Sequence, residues 1–407
     1  MKSIRSFVHV VLMFGALLSA AFTAACWDFG PIETEDGDSE GSGGGDTETE
    51  EVCIPDTDFD VNDLPCDIFE AACAPCVSAH SSVRVLRAEY TGPLYQICKG
   101  EYQPGPNSCL GDTLDIGAVD GFADVAAHEA YCTAAQCTIS KLYDQAAHDG
   151  NEANDLEPAP PGGAKKTPGE PVYASDLSVT LNGRSAYGML FMPGQGYRAG
   201  CTGCNLPKGI DLATGDTPQT IYMITSQHDL YNGCCFDYGN AETTCNNDGE
   251  GTMETVYFGG GVIWGTGSGS EVGPWVMIDL ENGLFAGWDS ELQSDQGIST
   301  NTPLAYDFVT AIAVGDTAEK NNGKGRFALY GGDAQNGGLT EMYDGIRPER
   351  DGYNPMRKQG SLILGIGGDN SDGDGGRFYE GAMVNKPLTR EVLDNLQAAI
   401  VAAGYGK

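Results

Sequence analysis

The chain has 407 residues, and 58 Asp and Glu against 22 Lys and Arg leave it a formal charge of −36. An acidic excess of this size repels phosphate backbones, which excludes nucleic acid and anionic membrane surfaces as partners and leaves an uncharged ligand such as a glycan compatible. The apolar run Phe7 to Phe22 is shorter than the roughly 20 residues that a spanning helix needs.

At the start of the chain, Lys2 and Arg5 precede that run and small residues follow it, so residues 1–25 read as an export signal. Thr23-Ala24-Ala25-Cys26 looks like a bacterial lipoprotein cleavage site, which predicts lipidation of Cys26. The outer membrane would then be a partner only through that lipid, with a soluble secreted product as the alternative. Residues 26–52 form the anchor cysteine and an acidic Gly/Ser-rich linker: Asp28 to Glu51 holds no Lys or Arg and too few apolar groups to fold.

Residues 53–407 are long enough for one large all-β domain. Fourteen cysteines in an exported chain predict disulfides. The short spans Cys66 to Cys76, Cys132 to Cys137 and Cys201 to Cys204 are natural staples. Setting Cys26 aside leaves an odd number, hence one free thiol or one intermolecular pair. A zinc site at Cys201 and Cys204 lacks a second ligand pair at matching spacing, so no metal is expected.

Fifty-eight glycines and short apolar stretches broken by turn residues favour β-structure. Strands are predicted at Val172 to Leu181, Thr220 to Thr225, Glu254 to Trp264, Trp275 to Glu281, Phe308 to Val314, Arg326 to Tyr330 and Ser361 to Ile366, spacing that suits a sandwich or jelly roll. In the Trp275 strand, Trp275, Met277, Asp279 and Glu281 would face a cleft while Val276, Ile278 and Leu280 face a core. Helical periodicity is clear only at Val392, Leu393, Leu396 and Ile400, between Thr389 as cap and Gly404 as stop. No solenoid or propeller period is present.

Two acids stand in unusual settings: Glu281 ends an apolar strand, and Asp369 follows the run Leu362 to Ile366 through Gly367 and Gly368. From spacing alone, a functional acid and an ordinary turn-former are equally good readings of each. Cys234 and Cys235 are neighbours, and pairing each with a distant cysteine is the plainer reading of an arbitrary adjacent pair.

The stretch Cys234-Cys235-Phe236-Asp237-Tyr238-Gly239-Asn240-Ala241-Glu242-Thr243 changes those odds. It resembles the signature of the α-L-arabinofuranosidase B catalytic-domain family, glycoside hydrolase family 54. Collinear segments accompany it: Pro65-Cys66-Asp67-Ile68, Tyr143-Asp144-Gln145, Ala159 to Gly163, Gly273-Pro274-Trp275, Gly352 to Met356, Gly365 to Asn370, and Phe378-Tyr379-Glu380-Gly381. Coverage runs from about Leu64 to Tyr405.

The resemblance implies a concanavalin-like β-sandwich (jelly roll) with a short C-terminal helix. It also implies retaining, exo-acting hydrolysis of terminal non-reducing α-L-arabinofuranosyl groups, without a cofactor, on arabinose-containing plant polysaccharides or oligosaccharides. Carried over by motif, Glu281 of Asp279-Leu280-Glu281-Asn282 is the nucleophile and Asp369 the acid/base. Sugar contacts fall on Cys234, Cys235, Trp264, Asp279, Asn282 and Gly368. A vicinal disulfide falls on Cys234 with Cys235, and two others on Cys66 with Cys76 and Cys132 with Cys137. The arabinose-binding β-trefoil of fungal members has no counterpart in this sequence, and a monomer is expected.

Other readings are weaker. Asn370, Asp372, Asp374 and Gly375 open like a calcium loop, but the twelfth position is Gly381. Gly265, Gly267 and Gly269 resemble a dinucleotide loop only loosely. The alternatives in function are a non-catalytic surface lectin on the same fold, or a retaining glycosidase for a β-D-xyloside or β-D-galactofuranoside.

Overall fold

Two antiparallel sheets face each other, and their register follows from side-chain alternation. A computed structural model describes Cys53, Pro55 and residues 58–407 apart from 134–135, 147, 149, 164–165, 262–271, 288–298 and 300. One sheet has six strands, in the order Cys76–Ser81, Glu380–Val384, Gln219–Thr225, Val309–Gly315, Phe327–Asp333 and Thr340–Gly345. The other has seven: Leu284–Phe285, Trp275–Asp279, Glu254–Gly259, Asp237–Ala241, Ser361–Leu364, Tyr197–Ala199 and Glu157–Pro158. The fold is therefore the expected β-sandwich.

The central strands of the six-stranded sheet are buried on both faces. Ile221, Met223, Ala311 and Ala313 join the core between the sheets, whereas Tyr222, Ile224, Ile312 and Val314 join a second core under the helices. That second core takes Leu393, Leu396 and Ile400 of the C-terminal helix Arg390–Ala403 and Ile68 and Phe69 of the short helix Pro65–Ala71. The C-terminal helix is capped as the sequence indicates: the Thr389 side chain accepts from Val392 N, and Gly404 closes it in the left-handed region at φ 74°.

The seven-stranded sheet turns only its inner face to the core, through Tyr238, Val256, Phe258, Val276, Ile278, Leu362 and Leu364. Its outer face holds a cross-strand row, Arg198–Ile363–Gly239–Thr255–Asp279, fixed by four pairings in register. This row brings the site's groups together from strands far apart in sequence.

Several expectations shift at their ends. Strands at Gln219–Thr225, Val309–Gly315, Phe327–Asp333 and Ser361–Leu364 match closely, while Val172 to Leu181 contracts to Leu177–Leu181. Glu254–Gly259 stands where Glu254 to Trp264 was predicted; Trp264, Gly265, Gly267 and Gly269 lie outside the described residues, as does Cys26. Helices Pro65–Ala71 and Val125–Cys132 were not predicted, because helices of 7 and 8 residues are too short to show a period. Each is instead held by a disulfide at its end, Cys66–Cys76 and Cys132–Cys137.

Further disulfides join Cys53 to Cys73 and Cys98 to Cys109. The expected Cys201–Cys204 staple is incomplete as a description, because Cys204 lies within bonding reach of both Cys201 and Cys245, with those two sulfurs 3.4 Å apart. One sulfur forms one disulfide, so this buried trio leaves a thiol over. Denatured but unreduced protein of residues 53–407 is expected to react with one equivalent of a thiol reagent; two or more would mean that one of the pairs does not form.

Candidate active site

Glu281 does not continue the strand as predicted. Trp275–Asp279 ends two residues earlier, and a tight hairpin returns the chain to Leu284–Phe285, with Leu280 N donating to Gly283 O at 3.1 Å. Glu281 begins that turn at φ 78°, a left-handed conformation that costs a residue with a side chain about 1–3 kcal/mol. Asp279 holds it there: its Oδ1 accepts from Glu281 N at 3.0 Å. Turn geometry rather than strand alternation therefore aims the Glu281 carboxyl.

Asp279 Oδ2 lies 3.2 Å from Cys235 Sγ, and Cys235 is disulfide-bonded to Cys234 across a cis peptide. Over this pair passes the loop Gly367-Gly368-Asp369. A Cβ at Gly367 would stand 3.3 and 3.4 Å from the sulfurs of Cys235 and Cys234, and one at Gly368 would overlap Oε2 of both Glu281 and Glu242. At Gly368 only glycine lets the backbone approach so closely. Half-buried Asp369 accepts from Ser371 N at 2.9 Å and from the Ser371 hydroxyl, which fixes its carboxyl at the loop end. Asn282 Oδ1 accepts from Asn247 Nδ2 at 2.6 Å.

Burial dominates the electrostatics. It pushes Asp279 up to about 7 against the lowering effect of the Glu281 N–H. Burial first, then Glu242, Asp279 and Asp369, push Glu281 far above the usual carboxylate range. Asp237 is fully buried beside Asp279 and is raised for the same two reasons, burial and a facing acid.

Among the described residues, the cation that reaches into this group is Arg198, itself fully buried. It donates through one terminal nitrogen to Gly368 O at 2.8 Å and Asn370 Oδ1 at 2.6 Å, and through the other to Glu242 O at 2.5 Å. It thus ties the Asp369 loop to the strand end that carries Glu242.

The structure brings together Cys234, Cys235, Asp279, Glu281, Gly368 and Asp369, with Asn282 in the adjoining turn. Three participants had no role in the sequence reading: Arg198, Asp237 and Glu242. Asp237 and Glu242 lie within the quoted Cys234 signature, which was the available signal. Arg198 sits between apolar Tyr197 and Ala199, and only its strand pairing shows which face it occupies. A wide depression elsewhere, lined by Arg87, Tyr90, Tyr143 and Asp155, contains acids committed to the framework. Asp144 there accepts from Ala79 N and Ala146 N, and Asp155 from Asp144 N.

A sandwich that gathers unequally protonated carboxyl groups over a neighbouring-cysteine disulfide is a layout suited to acid–base work on an uncharged ligand. Comparison narrows the class. The family model described as Alpha-L-arabinofuranosidase B, catalytic, matches residues 65–406. A probable alpha-L-arabinofuranosidase B of Aspergillus fumigatus is 43% identical over 347 residues, covering 84% of this chain and 62% of its own length. An arabinofuranosidase/B-xylosidase of Trichoderma koningii is 42% identical over 347 residues, covering 84% and 63%. A solved arabinofuranosidase complexed with arabinofuranosyl-alpha-1,2-xylobiose aligns at TM-score 0.73 and 38% identity, over 84% of this chain and 66% of that one. This chain belongs to the α-L-arabinofuranosidase B catalytic family. It spans less than two thirds of the length of these curated relatives.

Gly368→Ala tests the packing of the loop over the acids. It is expected to lower stability by about 1–3 kcal/mol through overpacking, read as a lower denaturation midpoint with unchanged slope. A variant as stable as the parent would mean that the loop does not sit on Glu242 and Glu281.

Proposed function

We propose that the chain is a retaining, exo-acting α-L-arabinofuranosidase, releasing terminal α-L-arabinofuranosyl groups from arabinan or arabinoxylan through a covalent glycosyl-enzyme. Family membership across residues 65–406 is the observation that carries this reading. The convergence of Glu281, Asp279 and the Asp369 loop supports it.

In the first step Glu281 attacks the anomeric carbon, the glycosidic bond breaks, and Asp369 gives its proton to the departing oxygen. In the second, Asp369 takes a proton from water as that water displaces Glu281. Asp279, Asn282 and Gly368 hold ring hydroxyls, while the Cys234–Cys235 disulfide gives the sugar an apolar surface. Trp264 completes the contacts carried over from the family.

Release of 4-nitrophenol from 4-nitrophenyl α-L-arabinofuranoside tests the assignment. Folded Glu281→Gln is expected to lose about 10³-fold or more in kcat. Asp369→Asn should lose about 10²–10⁴-fold on arabinoxylan and less on the aryl glycoside, because nitrophenolate departs without a proton. A folded parent that binds arabinan without turnover would favour the lectin reading. The two-activity name of the Trichoderma koningii relative makes 4-nitrophenyl β-D-xyloside the second substrate to try. Complete reduction, checked by thiol counting, should impair turnover; unchanged activity would remove the Cys234–Cys235 bond from the mechanism.

The disulfide-rich unit suits an extracytoplasmic location. We infer export as a monomeric surface lipoprotein, with Cys26 acylated and residues 26–52 as spacer before the catalytic domain 53–407. Incorporation of labelled palmitate, lost in Cys26→Ala, is the expected result; a parent that takes up no label is not anchored this way.

A further inference from the structure

Glu242 has no part in the two steps above, yet no other acid affects Glu281 as strongly. It follows the Asp237–Ala241 strand and is fully buried. Thr252 Oγ1 donates to its Oε1 at 2.5 Å. Among the described residues, no N–H or hydroxyl donor reaches its Oε2. What stands before Oε2 is the carboxyl of Glu281, since a single Cβ at Gly368 would overlap Oε2 of both. Two carboxyl groups that meet with no other donor between them can bond only through a proton.

Burial raises both acids, and the hydrogen bond between them raises Glu281 and lowers Glu242, so before attack the shared proton rests on Glu281. Attack on the anomeric carbon needs Glu281 ionised, and the oxygen placed to take its proton is Glu242 Oε2, because Oε1 is turned to the Thr252 hydroxyl, which also reaches Gly249 O at 2.7 Å. The charged and titratable groups around the pair favour a singly ionised state. Arg198 faces it from the Tyr197–Ala199 strand, Asp279 from the strand before Glu281, Asp369 from the Gly367–Gly368 loop, and Asp237 from behind Asp279. One buried cation among so many acids cannot hold both Glu242 and Glu281 ionised.

We propose that Glu242 is a positioning residue for the hydrolysis proposed above, an inference that rests on that reading: its carboxyl takes the pair's proton as Glu281 attacks and donates it back as a hydrogen bond, leaving Glu281 ionised and aimed. The proton is not consumed. As Glu281 bonds to the anomeric carbon and Asp369 protonates the leaving oxygen, the Glu242 O–H stays intact and bonds an oxygen of the new ester. When water displaces the ester, the electron pair returns to Glu281 under the same hydrogen bond.

The experiment compares the exported protein with Glu242→Gln, which keeps a neutral donor, and Glu242→Leu, which keeps the size without one. Turnover of 4-nitrophenyl α-L-arabinofuranoside is followed against pH, with thermal melting to establish folding. Glu242→Gln should stay within about tenfold of the parent in kcat, whereas Glu242→Leu should lose about 10²-fold with KM little changed. In the leucine variant the acid limb of kcat/KM should also move up by about one pH unit, because Glu281 loses the donor that stabilised its charge. A purely structural role would lower activity without moving that limb. An unmoved limb in folded leucine protein, or equal loss in both variants, overturns the proposal; Glu242→Met replaces leucine if the latter does not fold. A second readout needs no turnover: the infrared difference spectrum of parent minus Glu242→Gln at pH 7 should contain a protonated-carboxyl band, and its absence overturns the proposal. A parent without turnover but with that band refutes the hydrolase reading and leaves the shared proton standing.

Discussion

The structure depends on keeping a group of carboxyl groups buried together. Asp237, Glu242, Asp279 and Glu281 all lie out of water on or beside one sheet face, with half-buried Asp369 next to them. Burial penalises each ionised form, and mutual repulsion adds to it. Two responses offset that cost: the pKa values of Asp237, Asp279 and Glu281 rise, and the guanidinium of Arg198 stands at the far end of the same cross-strand row. Unequal protonation is also what acid–base chemistry near neutral pH requires.

The rest of the sandwich is stiffened so that the face can bear this. Arg84 grips Glu380 through two hydrogen bonds of 2.6 and 2.7 Å, and the Tyr222 and Tyr405 hydroxyls complete the Glu380 carboxylate. Lys358 bonds Glu254 at 3.0 Å in equal burial. Such pairs add little net stability, but losing one partner strands a charge, which holds strands and loops to one arrangement. Glu380 thus belongs to a motif of the family without belonging to the site.

Glycine does complementary work where backbone must pass close to the buried acids and the disulfide. Gly367 lies against the neighbouring-cysteine disulfide, and Gly368 leaves the space in which Glu242 and Glu281 meet. Gly162 and Gly163 bring another loop against Cys245 and the carbonyl of Asp369, linking the three-cysteine cluster to the acid loop. The loop that carries Asp369 is therefore shaped from both sides.

By itself the sequence determined the sandwich class, most strand centres, the capped last helix, the odd cysteine and, through its collinear motifs, the family. These are written in local pattern or in contiguous residues. It did not determine that Glu281 leaves the strand at φ 78°, since the apolar run before it reads straight through the turn. Nor did it show that Cys245 joins Cys201 and Cys204, or that Arg198, Asp237 and Glu242 close around the two acids. Those groups meet only through strand pairing between distant segments. Burial and pairwise charge, which set who holds a proton, exist only once the sheet has assembled them.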